Sequence, residues 1–93
     1  MQNSHSDQAR KPRESLVVTP AQLGQVLKGY RSLHRLTQND LAALIGVDQS
    51  AISQYERDAS RLNAQRLFRL LSAFGLELVL REKQPDKPPE TEW

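Results

Sequence analysis

Between residues 19 and 75 the apolar positions recur at helical spacing, and most runs are bounded by residues suited to starting or ending a helix. Leu23, Val26, Leu27 and Tyr30 form the first run. They follow Thr19-Pro20, where a hydroxyl can cap free N–H groups and proline loses no needed donor. Thr37 opens a second helix, with Asp40 three residues on completing a weaker form of the capping box. Leu41, Leu44 and Ile45 are expected to face inward there, until Gly46 supplies a left-handed terminator. Asp48 caps a third helix, about 49–57, and Asn63 caps a fourth. In the fourth, Leu67, Leu70, Leu71 and Phe74 make an apolar stripe that stops at Gly75.

After Gly75 the period falls to two. In "LELVLRE" Leu76, Leu78 and Leu80 alternate with Glu77, Val79 and Arg81, which is a strand pattern. A lone strand leaves its backbone donors and acceptors without partners, and no other convincing strand lies in the core. The same strand of a second copy would satisfy them as a two-stranded ribbon across a two-fold axis; pairing with Val17-Val18, or solvation, is the alternative. The expected fold is therefore all-α, with four to five helices, followed by one C-terminal β-strand that pairs across a homodimer.

Composition narrows the classes. The 93 residues suffice for one domain, and 38% hydrophobic with only 5% aromatic residues allow a modest core not built on large rings. No 18-residue apolar run is present, so no membrane span is expected, and the lack of a signal-type apolar segment points to the cytoplasm. With no cysteine there is neither disulfide nor thiolate metal site. Residues 19–75 carry seven basic and four acidic side chains, whereas 76–93 carry three basic and five acidic. A basic body with an acidic tail suits an anionic partner for the body and a different one for the tail. His5, His34 and Asp40 have no second ligand or nucleophile at useful spacing. No catalytic residue, metal, cofactor or small-molecule substrate is expected, and the chain does not read as an enzyme.

The segment "IGVDQSAISQYER" carries the functional signal. On a helical wheel of residues 49–57, Ala51, Ile52 and Tyr55 share one arc, and Gln49, Ser50, Ser53, Gln54 and Arg57 lie opposite, with Glu56 at the edge. A solvated face usually shows Glu and Lys. This one shows amides, hydroxyls and a guanidinium, free of carboxylates, as approach to phosphates requires. Glutamine can also bind adenine N6 and N7 bidentately in the major groove. The break at 46–48 then reads as the turn of a helix-turn-helix, with Ala42 allowing close approach and Val47, Ile52 and Tyr55 holding the angle. Of the other cations, Lys28, Arg35, Arg57 and Arg61, about half are expected to touch phosphate.

"LTQNDLAALIGVDQSAISQYER" resembles the Xre/Cro-type helix-turn-helix of phage repressors and bacterial regulators, over about residues 20–75. The "GLEL" strand and the tail ending in Glu92-Trp93 are similar to the HipB-type antitoxin family of the HipA–HipB toxin–antitoxin pair. The resemblance implies base-reading roles for Gln49, Ser50 and Gln54. It implies phosphate contact at Gln38, at the start of the first motif helix, and an Arg31–Glu56 structural ion pair. Thr37, Ser53 and Arg57 complete the expected phosphate set. Asp48 departs from the antitoxin pattern, where a basic residue can contact DNA; an acid there must cap the helix or accept from cytosine N4.

These readings divide the chain into a disordered arm at 1–15, a helix-turn-helix domain at 16–75, a dimerisation strand at 76–83 and a flexible tail at 84–93. Trp93 is the only tryptophan, and an extended acidic tail can deliver it to a pocket on a toxin. The function expected is a homodimeric transcriptional repressor in the bacterial cytoplasm, nucleoid-associated when bound to a palindromic operator. Its second partner would be a HipA-type Ser/Thr kinase toxin. A stand-alone repressor without a toxin, or a protein-interaction adaptor that retained the fold, is the alternative.

Overall fold

The computed structural model describes residues 13–84. Four α-helices follow one another, α1 (Pro20–Leu33), α2 (Gln38–Ile45), α3 (Gln49–Arg57) and α4 (Ala64–Ala73), with a 3₁₀ turn at Ala59–Arg61 between the last two. Every start is capped by its own sequence. The Thr19 hydroxyl accepts from the Gln22 N–H at 3.1 Å, and the Gln22 side-chain oxygen, Oε1, accepts from the Thr19 and Val18 N–H groups. Thr37 and Asp40 exchange the same pair of bonds, both at 2.9 Å. Asp48 accepts from the Ala51 N–H at 2.9 Å, and Asn63 from the Arg66 N–H at 2.8 Å.

Three helix ends share one device. Arg35, Gly46 and Gly75 adopt φ of 59°, 81° and 70°, which turns the chain back so that the next residue's N–H reaches a carbonyl in the last turn. Thus Leu36 donates to the Arg31 carbonyl, Val47 to Ala42 and Leu76 to Leu71. Each of these three apolar residues tucks against the core. Arg35 holds without glycine's freedom a conformation that costs an L-residue about 1–2 kcal/mol.

The core is Leu27 from α1, Leu41, Ala42 and Ile45 from α2, Ile52 and Tyr55 from α3, and Leu70 and Phe74 from α4. Tyr30 and His34 lay their rings against Phe74, at centroid distances of 6.3 and 5.4 Å. Helix α1 crosses α3 at Gly24, where an added Cβ would lie 2.6 Å from the carbonyl oxygens of both Tyr55 and Glu56. No helix among the described residues is long and apolar enough to cross a membrane.

One expectation needs correction, and a second finds no counterpart in a single copy. Leu44 is 61% exposed rather than inward, because Leu41, Ala42 and Ile45 already fill the buried arc of the eight-residue α2. Residues 76–84, where Leu76, Leu78 and Leu80 predict a strand, carry no regular secondary structure, and no strand forms among the described residues. A strand exists only with a hydrogen-bonded neighbour, and a single copy supplies none here. Leu76 instead packs on the core, while Leu78, Val79 and Leu80 stay exposed.

Candidate nucleic-acid interface

Helices α2 and α3 are joined through the left-handed turn at Gly46, and α3 packs one face on α1 and α2 and leaves the other exposed. Ile52 and Tyr55 anchor it inward, as does Glu56, which is only 4% exposed. Gln49, Ser50, Gln54 and Arg57 face outward, with Ser53 half-buried between them. Thr37 is exposed, and Gln38 is half-buried at the start of α2, directly beside Gln49.

A polar network joins three helices behind this face. The Arg31 Nε donates to Glu56 Oε2 at 2.6 Å, and its Nη2 donates to Oε1 at 3.1 Å. Arg31 also holds the Leu36 carbonyl at 2.8 Å. The hydrogen bond to Glu56 raises the Arg31 pKa above its ordinary value. Removing one partner of so buried a pair typically costs about 3–5 kcal/mol. Gln38 Nε2 donates to Glu56 Oε1 at 3.0 Å, and Gln49 Nε2 donates in turn to Gln38 Oε1. Side chains from α1, α2 and α3 are thereby linked from the core to the surface.

At the other edge, Ser50 donates its hydroxyl proton to Asp48 Oδ1 at 3.0 Å, which leaves its lone pairs outward as an acceptor. The Asp48 carboxyl is held below the usual carboxylate range by the Ala51 backbone N–H, then by Ser50, with the Arg66 charge adding to both. Asp40 is likewise lowered, by its bonds with Thr37. Arg66 Nη1 donates to the Tyr55 hydroxyl at 3.0 Å, and Arg61 and Arg66 border an open groove with Asp48, Ser50 and Gln54. Arg69 reaches the Ile45 carbonyl at the end of α2.

The structure thus brings Gln38, Gln49, Arg31 and Glu56 into one network, and Ser50 beside Asp48. Arg57 stands apart from that network on the same outward face. Sequence reasoning missed the Gln38–Glu56 bond and the place of Arg66, because these contacts join residues 18 and 11 positions apart with no local periodicity to mark them. Trp93 and the acidic tail from residue 85 lie outside the described residues, as does His5. Among the described residues no group of three or more His, Asp or Glu side chains is placed to hold a metal.

A capped two-helix turn presenting such a face defines a helix-turn-helix protein, and the chain belongs to that family, whose profile matches residues 27–80. It is similar to the antitoxin HipB of Escherichia coli strain K12, 29% identical over 76 residues that span 82% of this chain and 86% of that protein. An uncharacterized HTH-type transcriptional regulator of Methanocaldococcus jannaschii is 36% identical over 52 residues, 56% of this chain and 79% of that protein. Among solved structures, a chain of the HipA–HipB–O2–O3 complex superposes with a TM-score of 0.68 at 27% identity, covering 76% of this chain and 100% of that one. A chain of the HipB–O4 20mer complex gives the same values.

Proposed function

We propose that the chain is a homodimeric, operator-binding repressor that also serves as antitoxin to a HipA-type Ser/Thr kinase. One observation carries the DNA-binding reading: α3 turns Gln49, Ser50 and Gln54 outward, with its single carboxylate, Glu56, buried behind them. Gln49 keeps its carbonyl oxygen and one N–H for a base edge, and Ser50 and Gln54 read alongside it. Gln38, Thr37, Ser53 and Arg57 flank that face and are suited to phosphates, Gln38 being the first residue of α2 and bonded to Gln49. The similarity to HipB, in complexes that also contain HipA or a 20mer, supports the operator and the kinase as partners.

Dimerisation is assigned to residues 76–83. The alternation of Leu76, Leu78 and Leu80, with no backbone hydrogen bond from the N–H groups of residues 77–83 among the described residues, supports pairing with the same segment of a second copy. Trp93, on a proline-rich acidic tail, is assigned to a basic cleft of the kinase, where an indole can dominate a small interface. The protein would then act in the bacterial cytoplasm, at the nucleoid when bound.

Selection of binding sites from random duplexes tests the DNA reading. The expected product is a palindrome with half-sites about one helical turn, ~34 Å, or a multiple of it apart. Gln49→Ala should cost ~1–3 kcal/mol and relax one base pair of each half-site, whereas Arg57→Ala should weaken all sequences alike and reduce the salt slope by ~1. An unchanged consensus for Gln49→Ala would remove that residue from base reading.

A further inference from the structure

Glu56 is the only charged side chain buried among the described residues, yet it touches more than its ion-pair partner. Its two oxygens receive Arg31 Nε, Arg31 Nη2 and Gln38 Nε2. A carboxylate only accepts, so Gln38 must turn its nitrogen toward Glu56 and its oxygen the other way. That oxygen faces Gln49, and an oxygen only accepts from an amide. Gln49 must therefore turn its own nitrogen toward Gln38.

A glutamine amide left alone can present either end, since its two ends are nearly the same shape. Here neither amide has that choice. We infer that Glu56 is a positioning residue that fixes which end of the Gln49 amide lies nearer α2, and thereby the order of donor and acceptor shown to DNA. The inference rests on Gln49 reading a base, as proposed above. Gln49 spends one N–H on Gln38. The remaining N–H and the carbonyl oxygen form an edge in one fixed order, which fits the N7 acceptor and N6 donor of adenine in one orientation of the base pair only. The core ion pair thus does more than tie α1 to α3: its negative partner propagates a polarity through two side chains to the surface.

A purely structural ion pair makes a different forecast from a polarity relay. Glu56→Gln keeps the shape but puts a donor and an acceptor where two acceptors stood, so Gln38 and then Gln49 become free to turn either way. In selection from random duplexes, the preference at the base pair assigned to Gln49 is expected to fall by about tenfold or more, while the other positions of the consensus persist. Gln38→Ala cuts the relay without touching Arg31 or Glu56, and the same base pair should relax again. The exchange Arg31→Glu with Glu56→Arg restores opposite charges but places a donor against Gln38. It should reverse both amides and select a different base pair at that position. If Glu56→Gln fails to fold, Gln38→Ala decides alone. A consensus unchanged in Gln38→Ala, or in a folded Glu56→Gln chain, overturns the relay and leaves the base-reading role standing. A parent chain that selects no sequence overturns that role and the relay with it.

Discussion

At Gly24 the two atoms that would crowd an added methyl group are backbone oxygens, of Tyr55 and Glu56, each 2.6 Å away. No side-chain rotation can relieve such a contact, so Gly24→Ala must push α1 away from α3. The displacement would reach the Arg31–Glu56 pair about two turns further along the same face of α1, and through it Gln38 and Gln49. Overpacking of this kind typically costs about 1–3 kcal/mol. Gly24→Ala is expected to lower the melting temperature accordingly and to weaken operator binding, although position 24 is on the far side of α3 from the reading face. Thermal unfolding and a shift assay measure the two effects; an unaltered melting temperature would mean that the helices separate freely at this crossing. None of this is visible in the sequence, where a glycine inside a helical run looks only like a weak helix position. Glu56 is a similar case. A wheel puts it beside the buried arc, but only the approach of Arg31 from α1 makes a buried carboxylate tolerable there.

The helices themselves were largely legible, because their signals are local. Thr19, Thr37, Asp48 and Asn63 each act within three residues of the helix they start, and Gly46 and Gly75 act at the ends. The α1 terminus is the exception: Arg35 takes the left-handed turn in place of glycine or asparagine, so no residue type announces it. Leu44 misled for a geometric reason. At about 100° per residue it falls roughly 100° from the centre of the arc shared by Leu41, Ala42 and Ile45, and the small Ala42 occupies the inward place. The segment after Gly75 is a different case, since alternation marks the capacity to pair and a partner must come from elsewhere. Its test belongs at this scale. Leu78→Lys should make pairing costly, and Val79→Pro removes an N–H from the ladder. Either variant is expected to sediment as a monomer where the parent sediments as a dimer. A variant as dimeric as the parent would place the interface on another surface.

Over the whole chain the two proposed partners fall on regions of different character, a helical body for DNA and an acidic, proline-rich sequence for the kinase. Prolines 85, 88 and 89 restrict that sequence and reduce the entropy lost when it docks. The two activities should therefore separate. Deleting residues 84–93, or Trp93→Ala, is expected to weaken kinase binding in calorimetry and to leave operator affinity nearly unchanged in a shift assay. Equal kinase affinity with and without those residues would assign the interface to the helical body instead. The exposed run Leu78, Val79 and Leu80 has a further consequence. The assembly proposed for so short a segment would be governed by mass action. Where protomers outnumber dimers, occupancy of a palindrome follows the square of the protomer concentration, so halving the amount of chain would cut weakly occupied operators about fourfold. A chain that dimerises in this way would respond to its own abundance as a threshold, a small change in its amount moving operator occupancy out of proportion.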